Sequence, residues 1–320
     1  MSLFDLKIDE KIADFGIGHA ADNDALTGVS VVVCKEGAVC SCDIRGGGPA
    51  TRETDLLSPE KMVERVHAVV LSGGSAFGLE AASGVARVLR DEKIGFRAGT
   101  DIVPIVPAAC IFDLGVGKCV FPDVEMGKEG ARNALDNVGK TQAPGVGVVG
   151  AGAGASVGLK GVPLVSPMKS GIGYSFASFG KLKVSALTVV NALGNVYESN
   201  GDFLAGIENE KTMIAAFKAM NVKSKFGGVK NTTLSVVMTN AKATKSMCKK
   251  VASCSHDGYA RSINPVHTQN DGDAVFVMAS DKVAADVDVI SVMAAEVVEE
   301  SIREAVRHAK SVAGLVGLSR

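Results

Sequence analysis

The apolar positions of this chain fall into short runs separated by glycine-rich or charged breaks. Residues 28–34 (GVSVVVC) and 38–44 (AVCSCDI) carry the β-branched and small apolar side chains of buried strands, and Lys35-Glu36-Gly37 between them predicts a hairpin-like turn. A glycine loop, Gly46-Gly47-Gly48-Pro49, follows. Ser58 as N-cap, with Pro59 at the first helical position, predicts a helix over 59–67. Residues 68–71 predict a short buried strand that runs through Ser72-Gly73-Gly74-Ser75 into a helix over 76–90, where apolar residues recur at helical spacing. Residues 101–112 are apolar, but Pro104 and Pro107 demote them to an edge strand or packed loop. Beyond these, the pattern predicts helices over 127–137 and 208–220, strands over 185–191, 232–239 and 274–279, and a long amphipathic helix over 286–312. Residues 145–158 are too apolar for a linker and too glycine-rich for a helix, whereas 223–230 (KSKFGGVK) read as a loop directly before the strand at Thr232.

Strands and helices mix without a strict βαβ rhythm, and neither an internal repeat nor a low-complexity linker interrupts them. One α/β or α+β domain over residues 1–320 is the expectation. The apolar share, 47%, comes from Val, Ala and Gly-flanked runs with no Trp, which excludes general disorder and gives no aromatic platform for nucleic acid. A formal charge of −1 with no basic run points away from nucleic acid and anionic lipid. Residues 1–11 are charged throughout and hold no apolar core, so a signal peptide is not expected, nor is a membrane span. The expected location is cytoplasmic, with the seven cysteines reduced; Cys34, Cys40 and Cys42 read as residues of neighbouring strands.

Several motifs invite a chemical reading. Gly145-Val-Gly147-Val-Val-Gly150 matches the dinucleotide pattern, but no acidic residue occurs between Asp136 and Glu198, so close backbone packing is preferred and no cofactor is expected. Gly73-Gly74-Ser75-Ala76-Phe77-Gly78 resembles an esterase elbow, yet Phe77 stands where the second glycine belongs. That loop is expected to line a site without supplying a nucleophile. None of the five histidines sits at ligand spacing, so neither a metal site nor a Ser–His–Asp machine is expected; His267 stands either near a site or in a turn. Asp271-Gly272-Asp273 puts two carboxylates at period-2 spacing, readable as turn chemistry or as partners that hold a nucleophile. Asn231-Thr232-Thr233 is either an ordinary loop-to-strand boundary or a self-cleaving bond. In the second case Thr232 attacks its own preceding carbonyl and gains an α-amino group of pKa ~8, a serviceable base near neutral pH.

Longer stretches carry a resemblance: GHAADNDALTGVSVVV from Gly18, DIRGGGPATRETDLLSP from Asp43, VHAVVLSGGSAFGLEAASGV from Val66, VPIVPAACIFDL from Val103, GVGVVGAGAGASVG from Gly145, VVNALGNV from Val189, NTTLSVVMTN from Asn231 and INPVHTQNDGDAVF from Ile263. By these the chain resembles the DmpA family, the L-aminopeptidase/D-esterase group that includes β-aminopeptidases and nylon-oligomer hydrolases. The resemblance implies a four-layer αββα sandwich and self-cleavage into residues 1–231 and 232–320. It implies Thr232 as the nucleophile, in a position where members use Ser or Thr, and Asn191 as an oxyanion-hole side chain. Asp271 and Asp273 fall on the pair that steers the nucleophile, Asp/Asp as in the nylon-oligomer type. That type carries a catalytic Lys after the glycine-rich segment, often as GATVGK; Gly154-Ala-Ser-Val-Gly-Leu-Lys160 places Lys160 one residue further on. The implied activity is hydrolysis of small aminoacyl amides, peptides or esters through an acyl-enzyme, by a homotetramer of processed heterodimers. The alternatives are an acyltransferase of the ornithine acetyltransferase type and a non-catalytic binding protein on the same scaffold.

Overall fold

The computed structural model describes residues 2–159, 166–209, 211–215, 218 and 231–319. Ten strands among them form one sheet: β1 (Leu6–Lys7), β2 (Gly16–Asp22), β3 (Thr27–Ile44), β4 (Thr51–Arg52), β5 (Arg65–Ser72), β6 (Ala108–Cys110), β7 (Ile172–Phe179), β8 (Leu182–Asn191), β9 (Thr232–Ala241) and β10 (Ala274–Val283). Their order is β1-β7-β8-β9-β10-β3-β5-β6-β4, with β2 also on β3. Most neighbours are antiparallel; β9 and β10 run parallel, as do β5 and β6.

The sheet doubles over on itself. Val32, Cys34, Cys40, Leu71, Tyr174, Val189, Val236 and Phe276, drawn from both wings, share one buried apolar cluster. The opposite faces are covered separately. Helices α1 (Ala81–Asp91) and α2 (Val124–Leu135) pack on Val29, Val31, Val33 and Val70. Helices α3 (Lys245–Ser262) and α4 (Val287–Arg307) pack on Val184, Val190, Val237 and Val275. This is the expected four-layer αββα arrangement, with the central core between the two sheet wings. Side-chain caps start three of the helices: Asp123 accepts from Met126 N at 2.9 Å, Thr244 from Met247 N at 3.2 Å and Asp286 from Asp288 N at 2.8 Å.

Three expectations need correction. Residues 28–44 are not a hairpin but lie in one strand of 18 residues, Thr27–Ile44. Lys35-Glu36-Gly37 is a bulge in it, where Gly37 adopts φ +74° and the pairing with β5 shifts between Val33 and Ala38. Alternation survives the bulge, so Cys34, Cys40 and Cys42 face the central core from one strand rather than from neighbours. No helix forms over 59–67: Ser58 closes a 3₁₀ turn (Asp55–Leu57) in extended conformation, and Arg65–Ser72 pairs with β3, tertiary pairing overriding the capping signal. Residues 101–112 split into Asp101–Val103 and β6, which lies inside the sheet between β5 and β4. The predicted helix over 208–220 lies partly, and the loop 223–230 wholly, outside the described residues. No helix among the described residues is long and apolar enough to cross a membrane.

Candidate active site

Strand β9 opens at Thr232, and its first residue lies opposite Asn191, the last of β8. Residues directly opposite on antiparallel strands project to one face, so the pairing that zips β8 to β9 brings these two side chains together on the central-core side. Thr233 falls opposite Val190, whose side chain belongs to the α3/α4 face. Thr232 is buried, and its Oγ1 donates a hydrogen bond to the carbonyl oxygen of Asn231, the residue before it. That same carbonyl accepts from Gly272 N at 2.9 Å. The Thr232 hydroxyl, the carbonyl beside it and a backbone donor on that carbonyl thus lie within one hydrogen-bonded cluster.

The donor comes from the loop before β10. Asn231 bridges Asp271 in parallel register, with Asn231 N donating to Asn270 O at 2.9 Å. The loop is clamped from the other side by the glycine loop after β3: Gly46 N reaches Asp273 O at 3.2 Å and Gly48 N reaches Asp271 O at 2.8 Å. Gly272 must be glycine for space, since a Cβ there would lie 2.8 Å from Thr232 Oγ1.

The two aspartates do different work. Asp273 accepts from Thr233 N at 2.7 Å through one oxygen, and its other oxygen lies 2.8 Å from His267 Nδ1 and accepts from His267 N at 3.1 Å. It therefore pins the backbone next to Thr232. Asp271 accepts from the Thr268 hydroxyl at 2.6 Å and the Thr268 N–H at 3.0 Å. Burial pushes its carboxyl up to about 6, reinforced by the nearby charge of Asp273 and offset by the Thr268 bonds. A carboxylate with that pKa exchanges protons near neutrality.

Asn191 is fully buried. Its Oδ1 accepts from Ser156 N at 3.2 Å and its Nδ2 donates to Phe112 O at 3.1 Å. The glycine-rich segment thus has a task, to bring the Ser156 N–H onto the amide oxygen, which fixes the amide nitrogen as the donor to Phe112 O. Lys169 braces this segment, its ammonium donating to the carbonyls of Gly152 at 3.1 Å and Ala155 at 2.8 Å. The predicted elbow loop stands next along the wall: Gly74 N donates to Asp113 Oδ1 at 2.6 Å and Thr27 Oγ1 to Asp113 Oδ2 at 3.0 Å, one residue from Phe112. In the 145–150 motif, Gly147 adopts φ +87° and a Cβ on it would lie 2.3 Å from His308 O, which is the close packing expected of it.

The structure therefore gathers Thr232, Asn191, Asp271 and Asp273, together with Asn231. Lys160 lies outside the described residues. Sequence reasoning missed Gly272 as backbone donor, Ser156 and Phe112 as orienters of Asn191, and left His267 undecided. Behind β9, the Tyr259 hydroxyl lies 3.2 Å from Thr233 O, and the His267 ring stacks on Tyr259 with centroids 5.6 Å apart. The glycine between two aspartates was the one signal for this group that the sequence carried. Among the described residues no cluster of three His, Cys, Asp or Glu side chains is arranged to hold a metal ion.

Known proteins resemble the chain over most of its length. The profile of peptidase family S58 matches residues 11–320. The chain is 38% identical over 286 residues to an uncharacterized aminopeptidase of Mycobacterium leprae, covering 83% of this chain and 76% of that protein. It is 28% identical over 275 residues to a 6-aminohexanoate-oligomer endohydrolase of Kocuria sp., covering 83% and 73% respectively. A Burkholderia sp. β-aminopeptidase superposes with TM-score 0.68 at 17% identity, over 95% of this chain and 88% of that one. The L-aminopeptidase D-Ala-esterase/amidase of Ochrobactrum anthropi, described as a variant of the Ntn hydrolase fold, superposes with TM-score 0.65 at 15% identity, over 98% and 89%. The two superpositions show a shared fold.

Proposed function

The chain belongs to peptidase family S58 and is a hydrolase, and on that premise we propose that it cuts itself between Asn231 and Thr232 and then works as an N-terminal threonine amidase. The observation that carries the proposal is the hydrogen bond from Thr232 Oγ1 to the Asn231 carbonyl, which Gly272 N–H already polarises. In self-cleavage Oγ1 gives up its proton and bonds to the Asn231 carbonyl carbon, with the oxyanion held by the Gly272 N–H. The Asn231–Thr232 C–N bond breaks as its nitrogen takes a proton, leaving an ester. One water hydrolyses that ester to the Asn231 carboxylate and restores the hydroxyl beside a new α-amino group.

In turnover the same hydroxyl attacks the acyl carbonyl of a small aminoacyl amide, peptide or ester. The α-amine of Thr232 takes the hydroxyl proton and returns it to the leaving amine or alcohol. Asp273 fixes the strand through Thr233 N–H, and Asp271 exchanges protons with the amine. Asn191 Nδ2 and a backbone N–H stabilise the oxyanion, and a second water releases the acid. A single oxyanion donor of this kind is worth ~3 kcal/mol in the transition state.

The test is the fate of three variants. Thr232→Ala is expected to stay one full-length chain without activity, Thr232→Ser to cleave at least partly, and Thr233→Ala to cleave normally because its side chain lies on the other face. The smaller wild-type fragment should begin Thr-Thr-Leu-Ser by N-terminal sequencing. Cleavage at this bond in Thr232→Ala, or retained hydrolysis by it, would refute the proposal.

A further inference from the structure

We infer that His267 is a positioning residue for the nucleophile: with Tyr259 it clamps Thr233, and this clamp holds the new N-terminus of the processed chain once the peptide bond no longer does. The inference rests on the proposed cut and on Thr232 as the nucleophile. Cleavage changes what fixes Thr232. In the uncut chain it is joined to Asn231, which donates its N–H to Asn270 O at 2.9 Å and accepts from Gly272 N at 2.9 Å. After the cut those bonds hold the end of the other fragment. Thr232 becomes a chain terminus, and a terminus frays unless it is tied down.

The pairing of Thr232 with Asn191 along β8 survives the cut. Toward β10 the ladder starts later, with Leu234 beside Ala274, and Thr233 just before it is met by side chains. Both of its backbone groups are engaged. Asp273 Oδ1 accepts its N–H at 2.7 Å. The Tyr259 hydroxyl, from α3, lies 3.2 Å from its carbonyl oxygen and 3.1 Å from that of Ala274, and so ties together the starts of β9 and β10. Tyr259 is fully buried, which, with the charge of Asp273 adding to it, pushes its phenol well above the usual range and keeps it a donor.

His267 joins the two halves of the clamp. Its Nδ1 lies 2.8 Å from Asp273 Oδ2, which also accepts from its backbone N–H at 3.1 Å. As a carboxylate Asp273 only accepts, so His267 Nδ1 carries the proton. The ring stacks on Tyr259 with centroids 5.6 Å apart, and the buried His256 ring meets it edge-on at 4.6 Å. The backbone of His267 is left-handed, φ +57°, a conformation that a non-glycine residue keeps only where its surroundings fix it. Here the product of that fixing is a ring proton aimed at the carboxylate. Without it Asp273 Oδ2 keeps one donor fewer, and the carboxylate can turn off the Thr233 N–H.

The experiment compares two variants by two readouts. His267→Phe keeps a ring on Tyr259 and loses the Nδ1 proton, whereas His267→Asn carries an amide N–H on the same γ-carbon and tolerates the left-handed backbone. The first readout is hydrogen exchange of the Thr233 amide, by NMR with ¹⁵N-threonine, in the processed enzyme and in the uncut Thr232→Ala chain. The second is kcat and KM with L-alanine and β-alanine p-nitroanilides, set beside the rate of self-cleavage. His267→Phe is expected to speed exchange by about ten-fold or more in the processed protein and by less than about three-fold in the uncut chain. It should lower kcat by about ten-fold or more with KM little changed, and slow self-cleavage less. His267→Asn should recover most of both losses. Tyr259→Phe, which removes one oxygen and keeps the ring, should show the same difference between cut and uncut chains, and decides the matter if His267→Phe does not fold. Wild-type exchange and kcat in these variants, or equal effects on cut and uncut chains that His267→Asn does not relieve, overturn the clamp and leave Thr232 standing. A wild-type chain that is not cut at Asn231–Thr232 removes the nucleophile and the clamp with it.

Discussion

An alanine at position 272 would put its methyl carbon 2.8 Å from Thr232 Oγ1 and 3.0 Å from Gly48 O, where ordinary contact begins at 3.4 Å. The Gly48 carbonyl belongs to a loop clamped by its own N–H to Asp271 O, so the hydroxyl is the partner that yields. Threonine is β-branched and stiff at χ1, and relief of about 0.6 Å has to come from rotating Oγ1 off the Asn231 carbonyl. A misplacement of 1 Å costs about a hundred-fold in rate, so Gly272→Ala is expected to slow self-cleavage by roughly ten- to a hundred-fold. Alanine keeps the 272 N–H, so the loss would come from the nucleophile's position rather than from the oxyanion donor. The assay follows conversion of full-length chain to two fragments on a gel after rapid purification, with thermal melting to show that the variant is folded. Two companions sharpen it. Gly48→Ala meets nothing nearer than 3.7 Å and should process normally. Adding Thr232→Ser to Gly272→Ala should restore part of the rate, because serine lacks the γ-methyl and turns freely. A folded Gly272→Ala protein that processes at the wild-type rate would refute the placement of Gly272 against the hydroxyl.

Asn191→Ala removes the side-chain oxyanion donor proposed above and should lower kcat by about 10²–10³-fold with little change in KM; an unchanged kcat in steady-state assays would take Asn191 out of the site. With the Asp271 carboxyl at about 6, kcat/KM should fall as pH drops through that value, and Asp271→Asn should abolish that limb of the profile. Asp273→Asn should impair turnover by loosening the Thr233 N–H bond, and chelators should leave wild-type activity unchanged; restoration of a chelated enzyme by a divalent ion would instead show metal chemistry. Burial lowers His19 and His256 to about 4, His256 also feeling His267. The unfolded chain binds more protons than the folded one between pH 6.5 and 4, so these two histidines should cost stability as pH falls through that window. Asp271, raised rather than lowered, works in the opposite sense between about 4 and 6. Urea melts of His19→Gln and His256→Gln should show a shallower acid loss than wild type, and identical slopes would disprove the assignment.

Elements whose buried stripe is aliphatic were legible in the sequence. The strand at Thr232, that at Ala274 and the helix at Val287 appear close to where Val, Ile and Met alternate or recur. Helix α3 went unseen because its buried positions, Cys248, Ser255, His256 and Tyr259 among them, are polar or small and bury through packing and hydrogen bonds. Strand β7 was hidden for a related reason. Ile172, Tyr174 and Phe176 face the core, but the alternate positions are Gly173, Ser175 and Ala177, small because a Cβ at Gly173 would already lie 1.9 Å from Ser301 O of α4. At the site, Thr232, Asn191 and the Asp pair were identified through family resemblance, since none has a local pattern that separates it from turn chemistry. The register that sets Asn191 opposite Thr232 joins residues about forty apart in the chain, and no local signal encodes such a pairing.

The sheet order gives the proposed cut a mechanical meaning. Residues 232–320 contribute β9 and β10, which lie side by side in the sheet, and both flanks of this pair belong to the other fragment: β8 along β9, β3 along β10. The smaller piece is therefore a ribbon sewn into the middle of the larger piece's sheet, with its new end lying at the first stitch. Such a nick leaves a two-chain protein that dilution alone cannot take apart, because separation means unpicking two ladders and stripping α3 and α4 from the core at once. Reassembly after denaturation is another matter. The uncut chain folds as one molecule at any concentration, whereas the cut pair has to meet first. Processing would thus turn a reversible fold into one whose recovery depends on concentration, and the enzyme's working life would be set by how slowly it unfolds.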